Sequence, residues 1–188
     1  MKAKIKILKL LLNNKEEKYT IKKISEKVKI NYRIAYENIS PLEKEEIIKV
    51  TKVGNSKICE LTNKFNQELF EAEYERREEL FKDKKFKVIY SHLAELQFPF
   101  IMLLFGSHAK GLAEKNSDID ILTIGGDEKK ISSELSLFPY KIHLTSISYK
   151  EFINMAKSKE FTVVSEAIKN NIIFIGIEEY YRLLSNAR

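Results

Sequence analysis

The sequence predicts an α+β chain, and three stretches predict it. Residues 1–66 carry apolar side chains at helical spacing in three successive segments and close on two short alternating runs. Residues 63–97 are dense in charge and contain neither proline nor glycine, which suits uninterrupted helix. Residues 100–105 (FIMLLF) form a continuous apolar run that suits a strand buried on both faces, and a Gly-Ser loop follows it. The expected organisation is residues 1–66, a linking helical segment 67–97, and residues 98–188.

The elements follow in order. Ile5, Leu8, Leu11 and Leu12 make an apolar stripe that Asn13 and Asn14 close. Thr20 reads as an N-cap before Ile21, Ile24 and Val28. A break at residues 29–31 precedes a third helix with Ile34, Ala35 and Ile39, capped by Asn31. Tyr32, Arg33 and Tyr36 fall near its start, where a recognition helix reaches base edges. Pro41, late in that helix, predicts a kink or a helix restarting at the proline. Ile47, Ile48 and Val50 then enter a strand, Gly54-Asn55 turns, and residues 57–61 return, with Lys52 and Lys57 flanking the turn. This succession resembles a winged helix-turn-helix domain, which implies double-stranded DNA as partner. A domain of that kind used only for protein contacts or dimerisation would carry the same pattern.

Residues 63–97 read as one long helix or two consecutive ones. Phe65, Leu69, Ala72, Phe70, Tyr74 and Phe81 are its apolar positions, and six glutamates crowd its first half. A charged run of this kind is ordinarily a solvated face, although aromatic positions on one side could pair two copies as a homodimer. Further on, residues 149–154 and 160–170 look helical, 172–175 form a short strand, and 177–185 a last helix. Tyr180 and Tyr181 suit burial against the sheet, His92 the surface, and His108 packing within its loop.

The chemistry concentrates between residues 104 and 122, LFGSHAKGLAEKNSDIDIL. Gly106 ends the apolar run where a side chain would obstruct close backbone approach. Ser107 is expected to cap the next helical turn, and Gly111 to stop it. Free N–H groups there, with the Ser107 hydroxyl and Lys110, would face phosphate oxygens. Asp118 and Asp120 stand two apart in a strand-like segment, so both carboxylates share one face. Hard oxygen ligands of this kind suit Mg²⁺ or Mn²⁺ carrying a nucleotide such as ATP or another NTP.

Gly106-Ser107-x-Ala109-x-Gly111 followed by Ser117-Asp118-Ile119-Asp120-Ile121-Leu122 resembles the signature of the DNA polymerase beta-like nucleotidyltransferases, especially the minimal ones. The resemblance covers about the second half of the chain. It implies a small mixed sheet with helices packed on it, metal binding by the two aspartates, nucleotide binding by the Gly-Ser loop, and a third carboxylate on a later strand. That strand reads Tyr140-Lys141-Ile142-His143-Leu144-Thr145 and has no carboxylate. His143 falls at the matching position, on the face shared with Lys141 and Thr145. An imidazole there suits Mn²⁺ better than Mg²⁺ or serves as a base near neutral pH. Alternatively it is a backbone-bonded strand histidine in a site that has lost activity.

Charge separates the halves. Residues 1–66 hold 16 of the 33 Lys and Arg but only 8 of the 27 Asp and Glu, a surplus of eight positive charges. Residues 67–188 are close to neutral, so a polyanion is expected on the first part alone. The single cysteine, Cys59, cannot make an internal disulfide, and no apolar run approaches the ~20 residues of a membrane span. The expected setting is the cytoplasm, with no membrane partner. The resemblance further implies an antitoxin-like role, with AMP passed from ATP to a protein or RNA hydroxyl and a small helical toxin-like protein as acceptor. No segment suggests a poly(A)- or CCA-adding extension or a drug-binding domain. Two rival readings are a DNA-binding regulator whose second domain only senses nucleotide, and an adaptor with neither activity.

Overall fold

A computed structural model describes residues 2–158 and 160–187. The chain divides into two compact units, Met1–Glu73 and Tyr74–Arg188. The first contains α1 (Ala3–Asn13), β1 (Tyr19–Thr20), α2 (Ile21–Lys27), α3 (Tyr32–Lys44), β2 (Ile48–Val53) and β3 (Ser56–Leu61). Its strands form an antiparallel sheet in the order β1-β3-β2. Ile5, Leu8 and Leu12 of α1, Ile24 of α2, Ala35, Ile39 and Leu42 of α3, and Cys59 of β3 are fully buried. The helical stripes read from the sequence therefore face the core.

Local chemistry fixes the ends of these elements. The Thr20 hydroxyl accepts from the Lys23 N–H at 3.1 Å, and the Asn31 side-chain oxygen accepts from the Ile34 N–H at 2.8 Å. Gly54 and Asn55 turn the hairpin, with Val53 opposite Ser56 and Lys52 opposite Lys57. The two-residue strand β1 escaped the sequence reading because so short a run has no periodicity of its own; Tyr19 pairs with Cys59 across the sheet. The helix does not restart at Pro41: α3 runs through it to Lys44. Only one turn of helix follows it, so a single missing donor costs little there, and the Pro41 carbonyl still accepts from the Glu45 N–H at 3.0 Å.

Burial on the central strand pushes the Cys59 thiol up to about 11. A thiolate is the reacting species, so at pH 8 the native protein is expected to react with a disulfide reagent roughly two orders of magnitude more slowly than free cysteine. Denaturant should restore the ordinary rate. Fast native labelling would contradict the burial.

The boundary between the units falls within α4 (Gln67–Leu80). The charged segment is thus two helices, α4 and α5 (Lys84–Ala94), separated at Asp83, whose side chain accepts from the Lys85 N–H. In the second unit its C-terminal part is not a freely solvated face. The Arg76 guanidinium is buried and donates to the Asn171 carbonyl at 2.6 Å, and that of Arg77 donates to the Phe174 carbonyl at 3.0 Å.

The second unit continues with β4 (Ile101–Phe105), α6 (Gly106–Ala109), β5 (Ile119–Ile124), α7 (Glu128–Leu135), β6 (Ile142–Ile147), α8 (Tyr149–Lys157), α9 (Val163–Lys169), β7 (Ile172–Ile175) and α10 (Ile177–Asn186). The sheet order is β6-β5-β4-β7. Strands β5 and β6 are parallel and the other pairs antiparallel, so the sheet is mixed. Every residue of β4 is buried. Met102 and Leu104 of β4 and Ile119 and Ile121 of β5 join Phe86 and Ile89 of α5 and Ile131 of α7 in one cluster. Helix α9 starts three residues later than expected, at Val163, because Thr162 caps it and accepts from the Ser165 N–H. Tyr180 and Tyr181 are buried on α10. Among the described residues no helix is long and apolar enough to cross a membrane.

Candidate active site

Strand directions create the site. β4 ends where β5 and β6 begin, so Phe105 pairs with Asp120 and Ile119 with Ile142 at the same end of the sheet. The loop that leaves β4 therefore meets the carboxylates that open β5. Because Ile119 and Ile121 point into the cluster under α5 and α7, period two turns Asp118 and Asp120 to the opposite face.

Gly106 sits against this face with φ +68°, and a Cβ placed there would overlap the Asp120 carboxylate. Only glycine combines that conformation with that approach. Ser107 does not cap the turn as expected. Helix α6 begins at Gly106, with Phe105 at the cap position and no side-chain cap bond, because the left-handed glycine turns the chain into the helix one residue sooner. Ser107 thus lies inside the turn, and its hydroxyl has no hydrogen-bond partner among the described residues. Gly111, also at positive φ, follows the last turn. The Lys110 ammonium lies 3.4 Å from the Glu166 carboxylate of α9.

Strand β6 sets the other wall. Asp120 and His143 are register partners, and His143 Nδ1 lies 3.8 Å from Asp120 Oδ1. Two residues earlier, the Lys141 ammonium donates to Asp118 Oδ2 at 2.7 Å. Ile142 and Leu144, on the other face of β6, pack against the core cluster. Burial holds the Asp120 carboxyl above its ordinary value; the charges of Glu166 and Asp118 add to this, while His143 and His108 oppose it. His108 packs edge-on against the Phe86 ring and lies 3.3 Å from the Ser117 carbonyl.

The structure thus brings Gly106, Ser107, Asp118, Asp120 and His143 to one end of the sheet. Lys110 is there too, but paired with an acid. Sequence reasoning missed Glu166 and the Lys141–Asp118 ion pair. The pattern offered no signal for Glu166, whose place depends on how α9 packs; Lys141 was visible only as a neighbour of His143 on its face.

The donor set suits an ion that arrives with a nucleotide. Mg²⁺ and Mn²⁺ with phosphates need one or two protein carboxylates, and two are present on one face. Among the described residues, no three His, Cys, Asp or Glu side chains are grouped so as to hold an ion themselves.

In the first unit, Tyr32 and Tyr36 of α3 are exposed, 53% and 43%. The Lys57 ammonium stands 4.9 Å from the centre of the Tyr36 ring, which ties the hairpin to the helix. Arg33 is exposed but paired with Glu37 at 2.8 Å, and the Asn31 side-chain oxygen is engaged in its cap. Lys52 lies directly across from Lys57, a like-charged pair that is unfavourable without a counter-anion.

Comparison with known proteins meets this geometry. Residues 84–175, from α5 through β7, match the family described as nucleotidyltransferase domain. The loop, both aspartates, His143 and Glu166 all lie inside the matched segment, which supports nucleotide transfer as its general function. No curated protein and no solved structure matches the chain.

Proposed function

We propose that the chain is a regulator joining a winged-helix DNA-binding domain to a minimal nucleotidyltransferase domain that transfers AMP from ATP to a hydroxyl of a protein or RNA. The observation that carries it is the meeting of the Gly106-Ser107 turn with Asp118 and Asp120 across the Phe105–Asp120 pair, inside the family match. The role is antitoxin-like, with a small helical toxin-like protein as acceptor, in the cytoplasm.

Asp118 and Asp120 would hold Mg²⁺ or Mn²⁺, which supplies charge neutralisation on the phosphates when bound. The Ser107 hydroxyl and the Lys110 ammonium orient the triphosphate, Lys110 exchanging Glu166 for phosphate. The acceptor oxygen bonds the α-phosphorus as the bond to the β-phosphate oxygen breaks, and pyrophosphate leaves. His143, beside Asp120 and open to solvent, takes the acceptor's proton. ATP labelled at the α-phosphate, incubated with the protein and with the small proteins and RNAs encoded beside it, is expected to give a covalent adduct with one pyrophosphate released per label. Binding without pyrophosphate release would instead support a non-catalytic regulator, a reading favoured by the Lys141–Asp118 pair and by His143 standing where a carboxylate is expected.

The DNA part rests on the basic surplus, the exposed Tyr32, Arg33 and Tyr36, and the Lys52–Lys57 juxtaposition. The full-length protein is expected to bind duplex DNA with affinity that falls steeply as salt rises. Lys52→Ala with Lys57→Ala should lower the salt slope by about two and weaken all sequences alike. Salt-independent binding would exclude this surface.

A further inference from the structure

Each carboxylate of the candidate site already faces a nitrogen of β6. The spacing of two on β6 matches the spacing of two at Asp118 and Asp120, and the Ile119 N–H donates to the Lys141 carbonyl at 2.9 Å, which locks the alignment. The Lys141 ammonium therefore occupies Asp118 directly. An ammonium cannot ligate a metal ion, and its charge repels one at short range. Yet Lys141 is 73% exposed and Asp118 27%, so the pair is screened and readily exchanged.

We propose that Lys141 is a built-in counter-ion: it occupies Asp118 while the site is empty, keeps free divalent ions off, and moves onto the phosphates when a nucleotide arrives with its own ion. This rests on the nucleotidyltransferase reading and adds to it an ordering of ligands. Ion and nucleotide bind cooperatively, because the nucleotide supplies the anion that Lys141 needs on leaving Asp118. By linkage, each ligand then strengthens the other by the same factor.

The test uses Mn²⁺ alone, titrated into the full-length protein without nucleotide, with free Mn²⁺ read by electron paramagnetic resonance. Lys141→Met should tighten Mn²⁺ binding roughly tenfold. Lys141→Arg keeps the charge and should bind Mn²⁺ as weakly as the parent. Adding Asp118→Asn to Lys141→Met should cancel the gain. Repeating the titration with a non-hydrolysable ATP analogue should show a mutual enhancement in the parent that exceeds the one in Lys141→Met, where direct phosphate–metal ligation alone remains. A Lys141→Met protein that binds Mn²⁺ no tighter than the parent, or a Lys141→Arg protein that binds it tenfold more tightly than the parent, overturns the proposal. The two readings fail separately: tightening in Lys141→Met with no nucleotide transfer by the parent retires the transferase activity and leaves the counter-ion standing, whereas transfer by the parent without tightening does the reverse.

Discussion

Replacing Asp118 and Asp120 together with Asn is expected to reduce nucleotide transfer by roughly 10³-fold or more, and to remove metal-dependent nucleotide binding, with the fold intact. The substitution keeps shape and deletes both charges. A folding defect is not expected, for a reason visible at Asp120. Its carboxyl is held above the ordinary value, chiefly by burial. A carboxyl raised in this way binds its proton more tightly in the folded chain than in the unfolded one. Its ionised form therefore opposes folding at neutral pH, and that opposition is relieved as pH falls through the folded pKa. Asp120→Asn removes the charge at every pH, so this variant should melt no lower than the parent at pH 7. The Asp118 change loses only an exposed ion pair with Lys141, worth at most about 1 kcal/mol. A double variant that still binds the metal–nucleotide complex as the parent does would show that the aspartates are not the site.

Gly106→Ala should damage both stability and activity. The left-handed backbone costs a side-chain-bearing residue about 1–2 kcal/mol, and the added methyl also displaces the Asp120 carboxylate. A displacement of that kind is expected to lower transfer on the order of 100-fold. Gly54→Ala provides the comparison, since it has φ +58° but no atom within 4 Å of the new methyl. It should lose a similar part of the stability and none of the activity, in melting and transfer assays run side by side. Equal activity losses at the two positions would mean that Gly106 matters only for its backbone.

Much of the fold was legible because the deciding forces are local. The stripe in α1, the caps at Thr20 and Asn31 and the turn at Gly54 and Asn55 each depend on residues within four positions of one another. The carboxylate pair was legible for the same reason, since period two on one strand needs no knowledge of the neighbours. The surroundings of that pair were not. Asp120 meets His143 across a parallel pairing that spans α7, a helix the sequence reading did not identify. Its hydrophobic positions are only Ile131 and Leu135 in a polar stretch, too few to stand out. Ser107 misled because serine before a turn usually caps it, whereas here the left-handed Gly106 had already started the helix. Lys141 and Glu166 became partners of the site only through tertiary packing.

Strand β6 lies at the border of its sheet, with β5 on one side only, and the imidazole of His143 is 70% exposed. A side chain there can change without opening a hole in the interior, whereas β5 runs between two partners and its apolar positions are buried. The site is thus divided between an interior strand and an exposed position, 143, on an edge strand whose other face packs on the core. Histidine and aspartate codons differ by a single base. A lineage carrying this fold can therefore exchange an imidazole for a carboxylate at position 143, and return, in one mutational step each way, with folding left out of the selection. Ligand chemistry is evolvable here at the margin of the sheet, next to an interior strand whose buried apolar positions hold the fold.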